Sequence, residues 1–258
     1  MKYLKYFFYT INKKIKIGGN LKAGRNFLGT ICVHHRFGGN KIKKYNIDWY
    51  RRIESFGYLY KILIDANRTA FLGSIIYENG LFSNITLSEN IKVGQKIYSG
   101  LLNKSIKSGY TCLLDNIKLF SIINNIELYP NRGFSISRSA GSNSLLTSIN
   151  KNISTLKLKS GFNMFISSLN LASFGLSSNS LHKFNNLKKA GKSWSLGKRP
   201  IVRGVAMNPC DHPHGGGEGK KSPPKAQRSP WGWLTKGTPS IRKKYKKKIK
   251  MYRKLKSK

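Results

Sequence analysis

"LGSIIYENGLFSNITL", Leu72 to Leu87, decides the fold. Two short runs of apolar and small residues flank Glu78-Asn79-Gly80, a turn signal. Runs of about four to seven residues with apolar positions two apart, bounded by Gly and Asn, are the signature of strands. A helix would need apolar residues three and four apart over ten or more positions. The segment is expected to form two neighbouring strands joined by a tight turn.

The same grammar continues on both sides. From about Thr30 to Ile166 the chain offers "TICV", "YNIDWY" with Tyr45, Ile47 and Trp49 on one face, "YLYKILI" and "QKIYSG", with further turn signals at Ser99-Gly100 and Ser160-Gly161. A second group follows Gly109: "YTCLL", "NIKLFSII", "IELY", "SLLTSI" and "TLKLKS". In the last of these Lys157 and Lys159 alternate with Leu156 and Leu158, which puts two cations on the open face of a half-buried strand. An all-β chain is implied, and two small barrels of roughly 75 residues each suit it better than one large sheet. Past Gly175 the pattern changes. Leu181, Phe184 and Leu187 recur at helical spacing, Ser180 is placed as an N-cap and Gly191 as the residue just past the C-terminus, which predicts one short helix over Ser180–Gly191.

From Gly197 onward apolar periodicity disappears. The final 17 residues, Arg242 to Lys258, hold 11 bases and no acid. Such a tail cannot bury enough apolar surface to offset its ordering entropy and needs a partner to fold on. Charge names the class of partner. The 258 residues carry 48 Lys and Arg against 9 Asp and Glu, a net charge of +39, a self-repulsion that only a polyanion relieves. A membrane span is excluded at the start, "MKYLKYFFYTINKKIKI", because lysines interrupt it far short of about 18 apolar residues. A cleaved organellar leader would be arginine-rich, and this stretch has no arginine. Cys32, Cys112 and Cys210 are far apart and show no paired spacing, so neither a disulfide framework nor a paired-cysteine zinc site is indicated.

"AMNPCDHPHGGGEGKK", Ala206 to Lys221, concentrates Cys, His, Asp, Glu and Gly. Three chemistries are open to it. Cys210, His212 and His214 alternate and are plausible zinc donors, but no fourth ligand has recognisable spacing. A Cys–His nucleophile pair would need an apolar, shaped pocket that so basic a chain is unsuited to build. The glycines offer unshielded backbone N–H groups that can lie flush against phosphate or ribose; a plain flexible linker is the bland alternative. No strand precedes the stretch and the phosphate-loop spacing of nucleoside triphosphatases is absent.

These residues resemble a known family. "RGVAMNPCDHPHGGGEG", Arg203 to Gly219, is similar to the hallmark of the universal second protein of the large ribosomal subunit. "GRNFLGTICVHHRFGGNKIKKYNIDWYRR" from Gly24, "DANRTA" from Asp65, "SRSAGS" from Ser137, "KLKSG" from Lys157 and "SPWGWLTKGTPSIRKK" from Ser229 resemble other segments of that family, in order, over about residues 24–244. Departures are Phe37 where the family usually has Gly, Asn40 where it has His and Cys210 where Val is common. They shorten the glycine turn to Gly38 and Gly39 and argue against a demand for thiol chemistry.

The resemblance implies an OB-fold-like barrel followed by an SH3-like barrel, a short helix and extended basic tails. The expected divisions are a tail at 1–23, the first barrel at 24–107, the second at 108–178 and a threading C-terminal region at 179–258. It implies a structural constituent of the large subunit that contacts large-subunit rRNA near the peptidyl-transferase centre, with neighbouring ribosomal proteins as further partners and no small-molecule substrate. No cofactor is expected beyond Mg²⁺ associated with the rRNA. Compartment follows from the AT-rich-looking composition and the departures: a mitochondrial ribosome, with a plastid one as the alternative. The rival functions are a free OB-fold single-strand binder and a Cys/His metal enzyme.

The expected RNA contacts are Arg25, Asn26, Arg36, Lys41, Arg51, Arg52, Arg68, Arg132, Arg138, Ser139, Lys192, Lys198, Arg199 and Arg203, the arginines because a fixed guanidinium fork beside Gly, Asn or Ser suits phosphate. To these are added Asn208, His212, His214, Gly215, Gly216, Gly217, Gly219, Lys220, Trp231, Lys236, Lys243 and Lys244. No catalytic or metal-binding residue is expected. The family's histidine at the position of His212 has been proposed to assist peptide-bond formation, a transfer attributed to RNA, and packing is its expected role here. Trp231 and Trp233 are open between base stacking and packing on the second barrel.

Overall fold

The computed structural model describes residues 16–18, 22–40, 42–101, 107–150, 152–218 and 225–236. Its described residues fall into two compact units, residues 16–18 with 42–186, and residues 22–40 with 187–236. Residues 24–40, assigned by sequence to the first barrel, pack in the second unit with residues 187–236.

The first unit is all-β. Strands β3 (Ser55–Leu63), β4 (Leu72–Tyr77), β5 (Phe82–Thr86) and β6 (Lys96–Ser99) form an antiparallel sheet in the order β5-β4-β3-β6. This is the OB-fold-like barrel. Its core is Leu59, Ile75, Tyr77, Ile85, Leu87, Ile91 and Ile97. The expected hairpin joins β4 to β5, with Gly80 at φ +79° and its N–H donating to Tyr77 O at 2.9 Å. A six-stranded sheet makes the SH3-like barrel, in the order β13-β12-β11-β8-β14-β7. Its strands are β7 (Thr111–Leu113), β8 (Ile122–Asn124), β11 (Ser144–Asn150), β12 (Ile153–Leu158), β13 (Asn163–Ser167) and β14 (Leu171–Phe174). Leu114, Ile123, Ile126, Leu146 and Leu156 are wholly buried in a second, separate core. Two-stranded pairs, β1 (Lys16–Gly18) with β2 (Lys43–Tyr45) and β9 (Ile126–Glu127) with β10 (Phe134–Ile136), complete this unit. Lys157 and Lys159 are exposed while Leu156 is buried, as the alternation requires.

A polar joint ties the barrels. Glu89 N–H donates to Leu176 O (2.7 Å), Ser178 N–H to Leu87 O (3.1 Å) and Asn124 Nδ2 to Ser88 Oγ (3.0 Å). Its centre is Arg51, 1% exposed. Its Nε donates to Ser99 Oγ (3.0 Å), Nη1 to Gly109 O (3.0 Å) and Nη2 to Tyr98 O (2.8 Å). Burial lowers its affinity for the proton, an effect partly offset by Tyr77 and Asp48.

Three expectations need correction. "TICV" and "YNIDWY" are not strands beyond Tyr45. Asp48 Oδ1 accepts from the N–H groups of Tyr50 (2.9 Å) and Arg51 (3.0 Å), and Arg51 takes φ +46°, so the chain turns where alternation predicted extension. The helix is displaced as well. Ser180–Phe184 is a 3-10 turn preceded by Asn179 at φ +62°, Lys188 at φ +55° interrupts the backbone, and helix α1 runs Ala190–Ser195. Leu181 and Phe184 are exposed, and Gly191 lies inside α1 instead of ending a helix.

Candidate nucleic-acid interface

In the first unit, basic side chains gather around Trp49. The Arg68 guanidinium lies 4.2 Å from the indole centroid and that of Arg138 lies 4.8 Å away. Arg68 comes from the loop after β3 and Arg138 from the segment after β10, so one ring is shared by cations from both barrels. Each is half-buried. Burial and then the neighbouring Arg138 charge reduce the proton affinity of Arg68, and the buried Asp65 counteracts only part of this. Cation–π contact holds two like charges at one ring without neutralising them. Around the same indole runs the turn 129–134, whose Phe134 N–H donates to Trp49 O at 2.9 Å. Glu127, wholly buried, fixes that turn by accepting from Gly133 N–H (3.0 Å) and Leu171 N–H (3.2 Å), and pairs with Arg52 at 3.8 Å. Arg52 also donates to Asn131 Oδ1. Arg132, above the Tyr129 ring, and Ser139 are exposed.

Arg51 does not belong with them. Its guanidinium is consumed by the joint between the barrels, so the expected phosphate contact is replaced by a structural one.

The second unit is built differently. Residues 35–40 pair antiparallel with 195–200: Phe37 N–H donates to Gly197 O (2.9 Å), Asn40 N–H to Ser195 O (3.1 Å) and Arg199 N–H to His35 O (3.1 Å). Close approach demands glycine here. A Cβ on Gly197, at φ +77°, would meet Phe37 O at 2.7 Å. Phe37 itself, in place of the family's glycine, packs edge-on against Trp194 at 5.6 Å, and Arg199 lies 5.2 Å from the Trp194 centroid. Arg25, Arg36, Lys192, Lys198, Arg199 and Arg203 are all exposed. Asn26 serves a turn, its Oδ1 accepting from Thr30 N–H at 2.9 Å.

The histidine–glycine loop folds on its own backbone. The Asn208 carbonyl accepts from the N–H groups of Asp211 (3.0 Å) and His212 (3.2 Å), and a Cβ on Gly215 would meet that oxygen at 2.2 Å. Gly216 and Gly217 take φ +80° and +98°. The glycines thus answer first to the loop's internal geometry. His212 is buried against Gly204, whose missing Cβ leaves room for the ring, and its Nδ1 accepts from His214 N–H at 3.0 Å. His214 Nε2 accepts from Arg228 N–H (3.0 Å), stapling the loop to the turn Ser229–Trp233. Trp231 lies 5.1 Å from the His34 ring and remains 60% exposed, as Trp233 does at 75%. Lys236 is exposed, while Lys41, Gly219, Lys220, Lys243 and Lys244 lie outside the described residues.

No cluster of three or more His, Cys, Asp or Glu is placed to hold a metal ion among the described residues. Cys112 is buried, which pushes its thiol up to about 11 and keeps it protonated. No helix of the described residues is long and apolar enough to cross a membrane. Sequence reasoning missed Trp49, Trp194 and Arg228. Trp49 had a usable signal in hindsight, an indole inside a basic segment in a chain with few acids.

Residues 12–99 match the family model "Ribosomal Proteins L2, RNA binding N-terminal domain" and residues 107–232 match "Ribosomal Proteins L2, C-terminal domain". The large ribosomal subunit protein uL2m of Reclinomonas americana is 43% identical over 240 residues, covering 92% of this chain and 86% of that protein. The large ribosomal subunit protein uL2 of Orientia tsutsugamushi is 41% identical over 235 residues, covering 90% and 85%. That of Brucella melitensis is 40% identical over 226 residues, covering 87% and 81%.

Proposed function

The chain belongs to the ribosomal protein L2 family and is an RNA-binding structural constituent of the large ribosomal subunit, and on that premise we propose its place and its grip. It serves a mitochondrial large subunit, where it holds large-subunit rRNA near the peptidyl-transferase centre beside neighbouring ribosomal proteins. Its barrels grip the RNA backbone through Arg68 and Arg138, helped by Arg52 and Arg132. Its second unit takes RNA through Arg25, Arg36, Lys198, Arg199, Arg203 and the loop from Asn208 to Lys220. The similarity to uL2m and the Asn- and Lys-rich composition support the compartment. No reaction is assigned to the protein: His212 packs, and peptide transfer is left to RNA. It takes no cofactor of its own; Mg²⁺ in the assembly belongs to the RNA.

One observation carries the grip. Two guanidiniums from different barrels share the Trp49 ring, with Asp65 the acid that acts on Arg68. A phosphodiester seated between them would relieve their repulsion and make charge-assisted bonds with both. Arg68→Ala and Arg138→Ala are each expected to weaken binding of the full chain to a large-subunit rRNA fragment about ten-fold or more, and to lower the salt slope of log K by about one. Unchanged affinity in both variants would remove the grip. A tagged copy should sediment with mitochondrial large subunits at physiological salt and leave them only at high salt; co-sedimentation with plastid subunits would move the compartment.

A further inference from the structure

The second unit contains a cleft of about 750 Å³, walled by residues 23, 25, 31 and 33–39 on one side and by 194, 199, 200 and 202 on the other. Its frame is the backbone pairing already described, reinforced by His35, whose Nδ1 donates to Pro200 O at 2.8 Å. Across that frame Arg36 and Lys198 are direct partners in an antiparallel bridge, and both are exposed. Like charges placed opposite one another across a strand pair destabilise it. No acid lines the cleft; the acids among this unit's described residues, Asp211 and Glu218, lie elsewhere in the chain. Beside the cations stand two aromatic rings in edge contact, Phe37 and Trp194, respectively 50% and 39% exposed, with Arg199 over the indole.

Cations without counter-ions call for an anion, and exposed rings beside them call for a flat apolar surface. Unpaired RNA supplies both, since each nucleotide carries a phosphate and a base with two stacking faces. Duplex RNA supplies only the first, its bases being stacked on each other. Resting on the RNA-binding function proposed above, we infer that this cleft holds a short unpaired stretch of rRNA. The backbone lies across Arg25 and Arg36, both in the lining of the cleft, and one base is seated against Phe37 and Trp194. The barrels and the cleft then read different features of the same molecule, phosphates at the Trp49 stack and an unstacked base here.

The test uses the full chain bound to large-subunit rRNA, with a reagent that modifies unpaired bases and a salt titration of affinity. Wild type should protect a few unpaired nucleotides. Trp194→Leu should expose one or two of them and weaken binding about ten-fold, while the footprint of the barrels stays. Trp194→Phe, which keeps a ring, should restore protection and guards against a folding artefact. Arg36→Gln should leave base protection in place and cut the salt slope by about 0.7, the value for one single-strand phosphate. The inference is overturned if Trp194→Leu leaves the footprint intact, if the affected nucleotides are base-paired, or if a photo-crosslinker at position 37 captures a neighbouring protein in assembled subunits instead of RNA. Failure of Arg68→Ala to weaken binding, with the cleft's footprint intact, would count against the barrel grip alone. Loss of all RNA binding by wild type would overturn both.

Discussion

The two units of this chain stand in opposite relation to water. Every buried apolar side chain among the described residues lies between Leu59 and Ala172, in the first unit. In the second unit the buried residues are Gly197, His212 and Gly215, and Phe27, Leu28, Ile201 and Trp233 are more than two-thirds exposed. One unit therefore carries its own hydrophobic driving force. The described residues of the other have backbone pairing and tight glycine turns but no buried apolar core, an arrangement that cannot offset ordering entropy alone. The difference locates the need for a partner: the barrels carry their own core, whereas the second unit leaves large apolar side chains exposed.

The sharpest way to break this contrast is to damage each unit by one apolar truncation. Leu156→Ala opens a cavity in the second barrel and should cost about 2–5 kcal/mol, on the order of 10 °C in the melting temperature of the free protein. Phe27→Ala, at a side chain 88% exposed, should move that temperature by less than about 1 °C. Calorimetry of both variants decides it. An equal loss in Phe27→Ala would mean that the second unit has a core of its own.

An effect of similar size is expected at the joint. Arg51→Ala strands Tyr98 O and Gly109 O, buried acceptors of its guanidinium, at about 1–3 kcal/mol for each one left unpaired and unhydrated, while Ser99 Oγ keeps the Tyr77 hydroxyl at 3.0 Å. Urea unfolding should also become less cooperative, since the barrels lose the group that ties them. If instead stability held and RNA affinity fell, Arg51 would belong to the interface after all.

Arg51 also shows what could be read from sequence and what could not. Adjacent arginines look alike in a string, and what separates Arg51 from Arg52 is the turn at Asp48, which sends one side chain into the joint and leaves the other beside Glu127. Strand β12 was legible because burial writes period two into it, whereas β4, buried on both faces, and β5 were legible as short apolar runs on either side of the Gly80 turn. The edge strand β13 was not: Ile166 is its single fully buried residue, too little burial to leave a pattern. "YNIDWY" alternated for another reason, since Trp49 serves Arg68 and Arg138. The helix failed because Leu181 and Phe184, which carried its periodicity, face solvent, and Lys188 at φ +55° breaks the run. In the histidine–glycine loop the residue types were readable, but not that Gly215 answers to the Asn208 carbonyl of its own loop.

That last point supplies the smallest effect on the free protein and the finest test of the contrast. Gly215→Ala adds a Cβ 2.2 Å from Asn208 O, a backbone atom that can yield only if the loop opens. His212 donates its N–H to the same carbonyl, so the opening would also release the ring packed on Gly204. Because the described residues of this unit form no buried apolar core, the damage should stay local. The melting temperature should not change measurably, whereas proteolysis near residues 204–216 should speed up and assembly of the variant into large subunits should fall. A lowered melting temperature would show that the loop supports the barrels, and the two units would then be one cooperative fold.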